Sequence, residues 1–283
     1  MYEFFMQPFV EYGFMRRSLM ATIGIALSCG PVGVLLVLRR MSLMGEAMSH
    51  AVLPGIAIAY LYAGMWLPAL SLGGMLAGVS IALLGGFIAR QTILHEDASF
   101  TGFYLIAFAM GVLILSMKDG NLHIMHLLLG SVLAVDQGSM QFISLTTTVT
   151  WVSLALIYRP LVYECFDPLF IKSMGIKGSR YHFIFLSLVV LNLVAACQAL
   201  GTLLALGIMM IPAVTARLWT KQVWSLMLLS ISIAMVAGYL GLTLSYHFNW
   251  PSGPTIILVA GCGYVFALFM KAMLPKKRYV AAT

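Results

Sequence analysis

Long uninterrupted apolar runs are the feature that most limits what this chain can fold into. About 20 apolar residues in a row are enough for an α-helix to cross a lipid bilayer, and several such runs follow one another along the sequence. Hydrophobic residues make up 61% of the chain and charged residues only 9%. An ordinary soluble domain has about 45–50% and about 25%. The sequence therefore predicts an all-α, polytopic transmembrane helical bundle.

Nine runs have a suitable length, so we expect one transmembrane domain over residues 1–283 with about nine spans. Eight spans are the alternative, because the two runs that meet at Gly201 could form one broken helix. Residues 1–17 are predicted to be an interfacial N-terminal segment, and residues 122–135 a short half-buried helix. The predicted spans are 18–38, 44–66, 69–89, 99–117, 139–158, 182–199, 201–218, 223–246 and 254–273.

Lys and Arg are distributed unevenly between the segments that join the spans. The chain has 16 of them, and in the nine-span arrangement all except Arg16, Arg17 and Lys118 lie on one side. Cytoplasmic loops are enriched in Lys and Arg, so we expect the C-terminus to be cytoplasmic. The net charge of +7 is then a topology signal. It does not indicate nucleic-acid binding, which places basic residues among aromatics on one face.

Small and polar residues inside the runs predict how the helices pack. Pairs of small residues four positions apart, such as Gly74 and Gly78, allow helices to approach closely in a membrane. Asn192 and Gln198 lie within runs, and we expect them to form hydrogen bonds between helices.

The segment RRMSLMGEAMSHAVLPG, residues 39–55, places Glu46 and His50 at the start of an apolar run. Residues four apart share a helix face. A carboxylate and an imidazole suit zinc and, with more oxygen ligands, manganese or ferrous iron. Ionisable groups in a span usually face a bundle interior or a water-filled path. Spacing alone is equally consistent with a Glu that reaches the cytoplasm and a His that caps a neighbouring helix.

Pro54 favours the metal-binding interpretation. Proline has no N–H group, so the carbonyl of His50 is expected to lose its partner within the helix. A carbonyl freed in this way could become a third, oxygen ligand beside Glu46 and His50.

Five segments in order carry a resemblance to a known family. Residues 39–55 are followed by HEDASFTG, HLLLGSVLAV, FDPLFIKSMGI and QALGTLLALGIMMIPAVTARL. The chain resembles the membrane permease subunits of bacterial ABC importers for zinc, manganese and iron, over nearly its whole length. The resemblance implies that Glu46 and His50 pass the metal. The family usually has Asp at the position of Glu46, so the carboxylate here stands one methylene further from the backbone.

The resemblance also implies partners and a location. We expect a homodimer in the bacterial inner membrane, with the cargo path between the two copies. A cytoplasmic ABC ATPase dimer and an extracytoplasmic metal-binding protein would complete the importer. The cargo is expected to be zinc or manganese, with iron as a third candidate and zinc slightly favoured by the extra histidines. No permanently bound cofactor is expected.

Energy coupling can be considered from the sequence itself. The chain has no G-x-x-x-x-G-K-[ST] loop for nucleotide phosphates, so we expect it not to be an enzyme and the ATPase to be another chain. The longest cytoplasmic loop, 159–181, contains a short predicted helix that either docks in the ATPase, as the resemblance favours, or lies on the membrane surface. Its helix signals are the N-cap Asp167, Pro168 at the first position, the apolar Leu169 and Phe170, and the terminating Gly175.

His123 and His126 lie three apart on the predicted external side. His126 matches a position at which the family often has His. The two side chains could receive metal from a binding protein, or could form hydrogen bonds within a loop.

Two other classes of function stay open. A proton-coupled secondary metal transporter or channel would use the same pair of residues, but it would be expected to have more carboxylates in its spans. An intramembrane protease would need a G-x-S-x-G segment or paired aspartates in spans, and the sequence has neither.

Overall fold

The computed structural model describes residues 6–64, 66–91, 96–116, 135–166 and 178–273. Every regular element within these ranges is a helix, which confirms the predicted all-α class. The helices are α1 (Gln7–Glu11), α2 (Gly13–Leu38), α3 (Ser42–Ala51), α4 (Leu53–Ala63), α5 (Leu67–Gln91), α6 (Glu96–Ser116), α7 (Gln137–Phe166), α8 (Gly178–Leu200), α9 (Thr202–Trp219), α10 (Val223–Phe248) and α11 (Ser252–Met273).

Eight of the described helices are long and apolar enough to cross a membrane, namely α2 and α5–α11. The remaining predicted span, 44–66, is divided into the short helices α3 and α4. Pro54 is the second residue of α4, where its missing N–H costs no hydrogen bond. The pair runs beside α6 in the same direction, because His50 contacts Phe108 and the backbone at Pro54 approaches Gly111. Together α3 and α4 take the place of the predicted span 44–66 as an interrupted helix pair.

The two runs that meet at Gly201 are separate helices. Gly201 has φ 90° and ψ 159°, a conformation that glycine adopts without steric cost. Gln198, near the end of α8, accepts a hydrogen bond from Ser71 near the start of α5. At the far end of α9 the Leu218 carbonyl accepts a hydrogen bond from Lys271. The chain therefore reverses direction at Gly201, and α8 and α9 form a hairpin.

The predicted N-terminal segment 1–17 is divided between two elements in its described part. Residues 7–11 form α1, in which Phe9 stacks on Tyr239 with ring centroids 5.2 Å apart. Residues 13–17 already belong to the long helix α2. Whether the segment lies at a membrane interface stays a prediction.

Close helix packing confirms the role expected of the small residues. A methyl group on Gly33 would overlap the main-chain carbonyl of Met209 in α9, and methyl groups on Gly55 or Gly73 would overlap the other residue's carbonyl. Gly74 lies against Val52 at the break between α3 and α4. Gly55, Gly73 and Gly74 bring the α3–α4 pair directly against α5, whereas Gly33 brings α2 against α9.

The two polar side chains expected between helices do form hydrogen bonds there. Asn192 of α8 donates from Nδ2 to Thr150 Oγ1 of α7 at 2.8 Å. Ser71 Oγ of α5 donates to Gln198 Oε1 at 2.7 Å. Both bonds connect α8 to a neighbouring helix.

Candidate functional site

Helix α3 has one buried face and one open face. Met44, Met48 and Ala51 are each only 1% exposed, and they fix the helix against the protein core. Glu46 is exposed and His50 is partly exposed, one turn apart on the opposite face. The carboxylate and the imidazole therefore point away from the core of their own chain, and both are accessible to a ligand.

The break after α3 lies directly beside His50. The N–H of Val52 points to the carbonyl of His50, and the helical hydrogen bonds resume where Ile56 N–H donates to the Val52 carbonyl at 3.2 Å. The His50 carbonyl thus has one local donor in place of the helical one. A carbonyl oxygen has two lone pairs, so one remains for another partner. Its role as a metal ligand stays a prediction.

Two aromatic residues of α6 hold the His50 ring. Phe108 meets it edge-on, with centroids 5.1 Å apart and an interplanar angle of 71°. Tyr104 lies further away, at 6.3 Å and 28°. Edge-to-face aromatic contacts of this kind favour one ring orientation. Helix α6 therefore fixes the direction in which the imidazole nitrogens point.

Helix α9 supports α3 from the core side. A methyl group on Gly45 would come within 2.6 Å of the end of the Met210 side chain, so Met210 would have to move to admit a larger residue there. Met210 therefore packs directly against α3 beside Glu46.

A single chain does not supply a complete metal site within its described residues. No group of three or more His, Cys, Asp or Glu side chains is close enough there to hold one ion. Zinc sites in proteins have four ligands, and manganese prefers about six oxygen-rich positions. Glu46 and His50 therefore need donors from water, the backbone or another chain.

The other predicted site residues lie outside the described residues. These are His123 and His126 on the predicted external side, and Asp167, Pro168, Leu169, Phe170 and Gly175 in the predicted coupling helix. Their roles stay predictions.

Sequence reasoning missed a buried polar cluster around Arg39. Arg39 Nη2 donates to Glu164 Oε2 at 3.1 Å, and the two side chains are 6% and 11% exposed. Arg39 Nη1 lies 2.7 Å from Nδ1 of His182, which is 3% exposed. The guanidinium also lies over the Phe185 ring, 4.7 Å from its centroid. From the sequence, Arg39 is only one of the basic residues that favour a cytoplasmic position for its end of the helix.

A weak signal for this cluster was present in the sequence. Glu164 is one of only nine acidic residues, and it falls beside a predicted span. Sequence could not pair it with Arg39 because 125 positions separate the two residues.

The fold and the site together define a class of protein. Polar ligands at a break in a crossing helix, inside an otherwise apolar bundle, are typical of membrane transport proteins. The α3–α4 pair places the polar side chains of Glu46 and His50 beside such a break, next to an apolar bundle.

Comparisons with known proteins identify the family. The ABC 3 transport family matches residues 11–271. The manganese import system permease protein ScaB of Streptococcus parasanguinis is 33% identical over 97% of this chain and 95% of its own. A probable iron transport system membrane protein of Haemophilus influenzae is 28% identical over 95% and 97%. The structure of PsaBC from Streptococcus pneumoniae in complex with Fab matches with a TM-score of 0.83 and 29% identity, covering 97% of each chain.

The chain therefore belongs to the ABC 3 transport family, and it is a multi-pass membrane permease subunit of a bacterial ABC importer. The resemblance inferred from the five sequence segments is confirmed.

Proposed function

We propose that this permease moves a divalent transition metal into the cytoplasm, and that manganese is its main cargo. The observation that carries the proposal is the pair Glu46 and His50 on the open face of α3, beside the break before Pro54. These are ligand types for divalent transition metals. The relative from Streptococcus parasanguinis is described as a manganese import permease, which favours manganese over the zinc suggested by the extra histidines.

A second copy of the chain would complete the path. Charged side chains within a membrane are costly against lipid and usually face the bundle interior or water. Glu46 is exposed on a single chain, which supports a homodimer whose two α3 helices face one another. Such a dimer would present two carboxylates and two imidazoles to one ion, and water or the His50 carbonyls could provide further oxygen ligands.

The positions of the charged helix ends support one orientation of the chain in the membrane. Arg39, Glu164 and His182 meet at one end of the bundle, and Lys271 contacts Leu218 where α9 and α11 end. The excess of Lys and Arg supports placing this end, with the C-terminus, in the cytoplasm. A cytoplasmic ATPase dimer would dock here through residues 167–177. A metal-binding protein would deliver its ion to the opposite end.

The test is uptake of radioactive manganese into vesicles that contain the permease and its cognate ATPase. The ATPase faces the vesicle lumen, and ATP is enclosed there. Metal-loaded binding protein is added outside, and manganese should then accumulate in the lumen. Unlabelled zinc and iron(II), added at equal concentration, should compete more weakly than unlabelled manganese.

Two results would contradict the proposal. Uptake driven by a proton gradient without ATP would instead identify a secondary transporter. Zinc competing better than manganese would reassign the cargo while leaving the importer intact.

A further inference from the structure

The Arg39 cluster is an unusual use of charge for so apolar a protein. Arg and Glu are almost never fully buried unless they are paired, and here a single guanidinium serves two partners from two different helices. One arm of the guanidinium binds Glu164 of α7 and the other reaches His182 of α8. Replacing a buried ion pair by apolar residues of similar volume is often neutral for stability. Stability alone therefore does not account for the cluster.

The hydrogen-bonding roles in the cluster follow from chemistry. An Arg side chain can only donate, so His182 accepts through Nδ1 and carries its proton on Nε2. The other side of this imidazole faces α5, where a methyl group on Gly86 would lie 3.7 Å from Nε2. The ring is thus held between Arg39 and α5, in one tautomer.

The three residues of the cluster occupy particular positions along the chain. Glu164 lies two residues before the end of α7, and His182 lies four residues after the start of α8. In the sequence, residues 167–177 connect these two helices, so the last turn of α7 and the beginning of α8 are bonded to the same guanidinium. Arg39 is the C-cap residue of α2, directly after its last residue Leu38.

A short hydrogen-bonded segment connects Arg39 to α3, the helix that carries Glu46 and His50. Met41 N–H donates to the Leu36 carbonyl at 3.0 Å, and Met44 N–H donates to the Met41 carbonyl at 3.1 Å. Helix α3 therefore begins only three residues after Arg39, without a flexible stretch between them. A displacement of Arg39 would therefore act on the start of α3, one turn before Glu46.

We propose that Arg39 is a positioning residue for transport, which joins the ends of α7 and α8 to helix α3 so that movement of those ends reorients Glu46 and His50. The inference rests on the proposed function, because it assumes that the ATPase acts on the segment between α7 and α8. Arg39 touches no cargo in this mechanism; it acts through the link at Met41.

The experiment compares metal transported per ATP hydrolysed in reconstituted complexes. The main variant is the double replacement Arg39→Met with Glu164→Met, which removes both charges of the buried ion pair. Arg40→Met is the matched control, because Arg40 is the exposed neighbour and its loss removes the same charge from the same end. Radioactive manganese is the transported probe, and assembly is measured by co-purification with the ATPase.

The double variant should assemble and hydrolyse ATP, but its manganese-to-ATP ratio should fall about tenfold, within the usual range of coupling between protein sites. The Arg40→Met complex should keep the wild-type ratio. A wild-type ratio in the double variant would overturn the proposal, because a merely structural pair would leave coupling intact. Failure of the double variant to assemble would also overturn it, by showing that the cluster serves folding. Absence of ATP-driven uptake in the wild-type complex would instead contradict the proposed function.

Discussion

Two polar regions of this permease lie only a few residues apart in sequence. The charged side chain is exposed in one of them and buried in the other. The carboxylate of Glu46 and the imidazole of His50 are left open on one face of α3. The guanidinium of Arg39 is buried and bonded to Glu164 and His182. A group that must bind a passing ion has to remain accessible, whereas a group that joins helices has to be satisfied within the protein. The contrast distinguishes the proposed ligand residues Glu46 and His50 from Arg39, which bonds helices to one another.

The largest effect is expected on stability at the Arg39 cluster. Arg39→Met alone removes the guanidinium from the buried Glu164 carboxylate, and breaking a buried pair in this way costs about 3–5 kcal/mol. The double variant Arg39→Met with Glu164→Met should recover most of this loss. Thermal unfolding in detergent measures both. Equal stability of the single and double variants would show that the carboxylate can reach water when its partner is removed, and would weaken the contrast with α3.

Replacing Glu46 or His50 should have the opposite effect, with a large loss of manganese uptake and a small change in stability. Glu46→Gln and His50→Gln should each lower manganese uptake at least ten- to a hundredfold, since even residues that only support metal ligands matter to that extent. Stability should change by less than about 0.5 kcal/mol for the exposed Glu46, and by about 0.5–1.5 kcal/mol for His50, which loses its contact with Phe108. Glu11→Gln, another exposed carboxylate, is the matched control and should transport normally. If the α3 variants unfolded instead, the open face would be a packing surface.

Phe170→Ala tests the proposed contact between the predicted coupling helix and the ATPase. Burial of a Phe side chain contributes about 1.5–3 kcal/mol, so loss of a fully made contact with the ATPase should weaken docking about ten- to a hundredfold. Co-purification of the two chains measures this effect, and manganese uptake should fall with it. Wild-type docking, ATP hydrolysis and uptake would mean that the predicted helix lies on the membrane surface.

The smallest effect concerns the aromatic support of the open pair. Phe108→Leu removes the edge-on contact with His50, which is worth about 0.5–1.5 kcal/mol. The KM for manganese should therefore rise about two- to tenfold, while the maximal rate is largely kept. Phe266→Leu on the exposed face of α11 serves as the control. An unchanged KM would show that His50 is oriented by its backbone alone.

Much of the fold could be predicted because it depends on local properties. Apolar runs of sufficient length predicted the helices, and the positions of Pro54 and Gly201 marked where a helix ends. A helix break near Pro54 was predicted, but its form was not, since proline is compatible with a kinked continuous helix as well as with two short ones. The packing of Gly55 against Gly73 holds the chain in the second arrangement.

The candidate site was predictable in part for the same reason. Glu46 and His50 share a helix face through their spacing alone, and the family resemblance gave that face its chemistry. The aromatic support from Phe108 and the lack of a third nearby ligand among the described residues depend on how α6 lies against α3. No local pattern contains that information.

The sequence by itself determined that this chain folds into apolar helices, roughly where most of them lie, and that Glu46 and His50 share one helix face. Each of these follows from neighbouring residues and from the cost of unpaired polar groups in lipid. Only the tertiary structure decided that Arg39 meets Glu164 and His182, because these contacts join positions 125 and 143 residues apart. Contacts at such separations depend on the packing of whole helices, and that packing brings the ends of α2, α7 and α8 to one buried point.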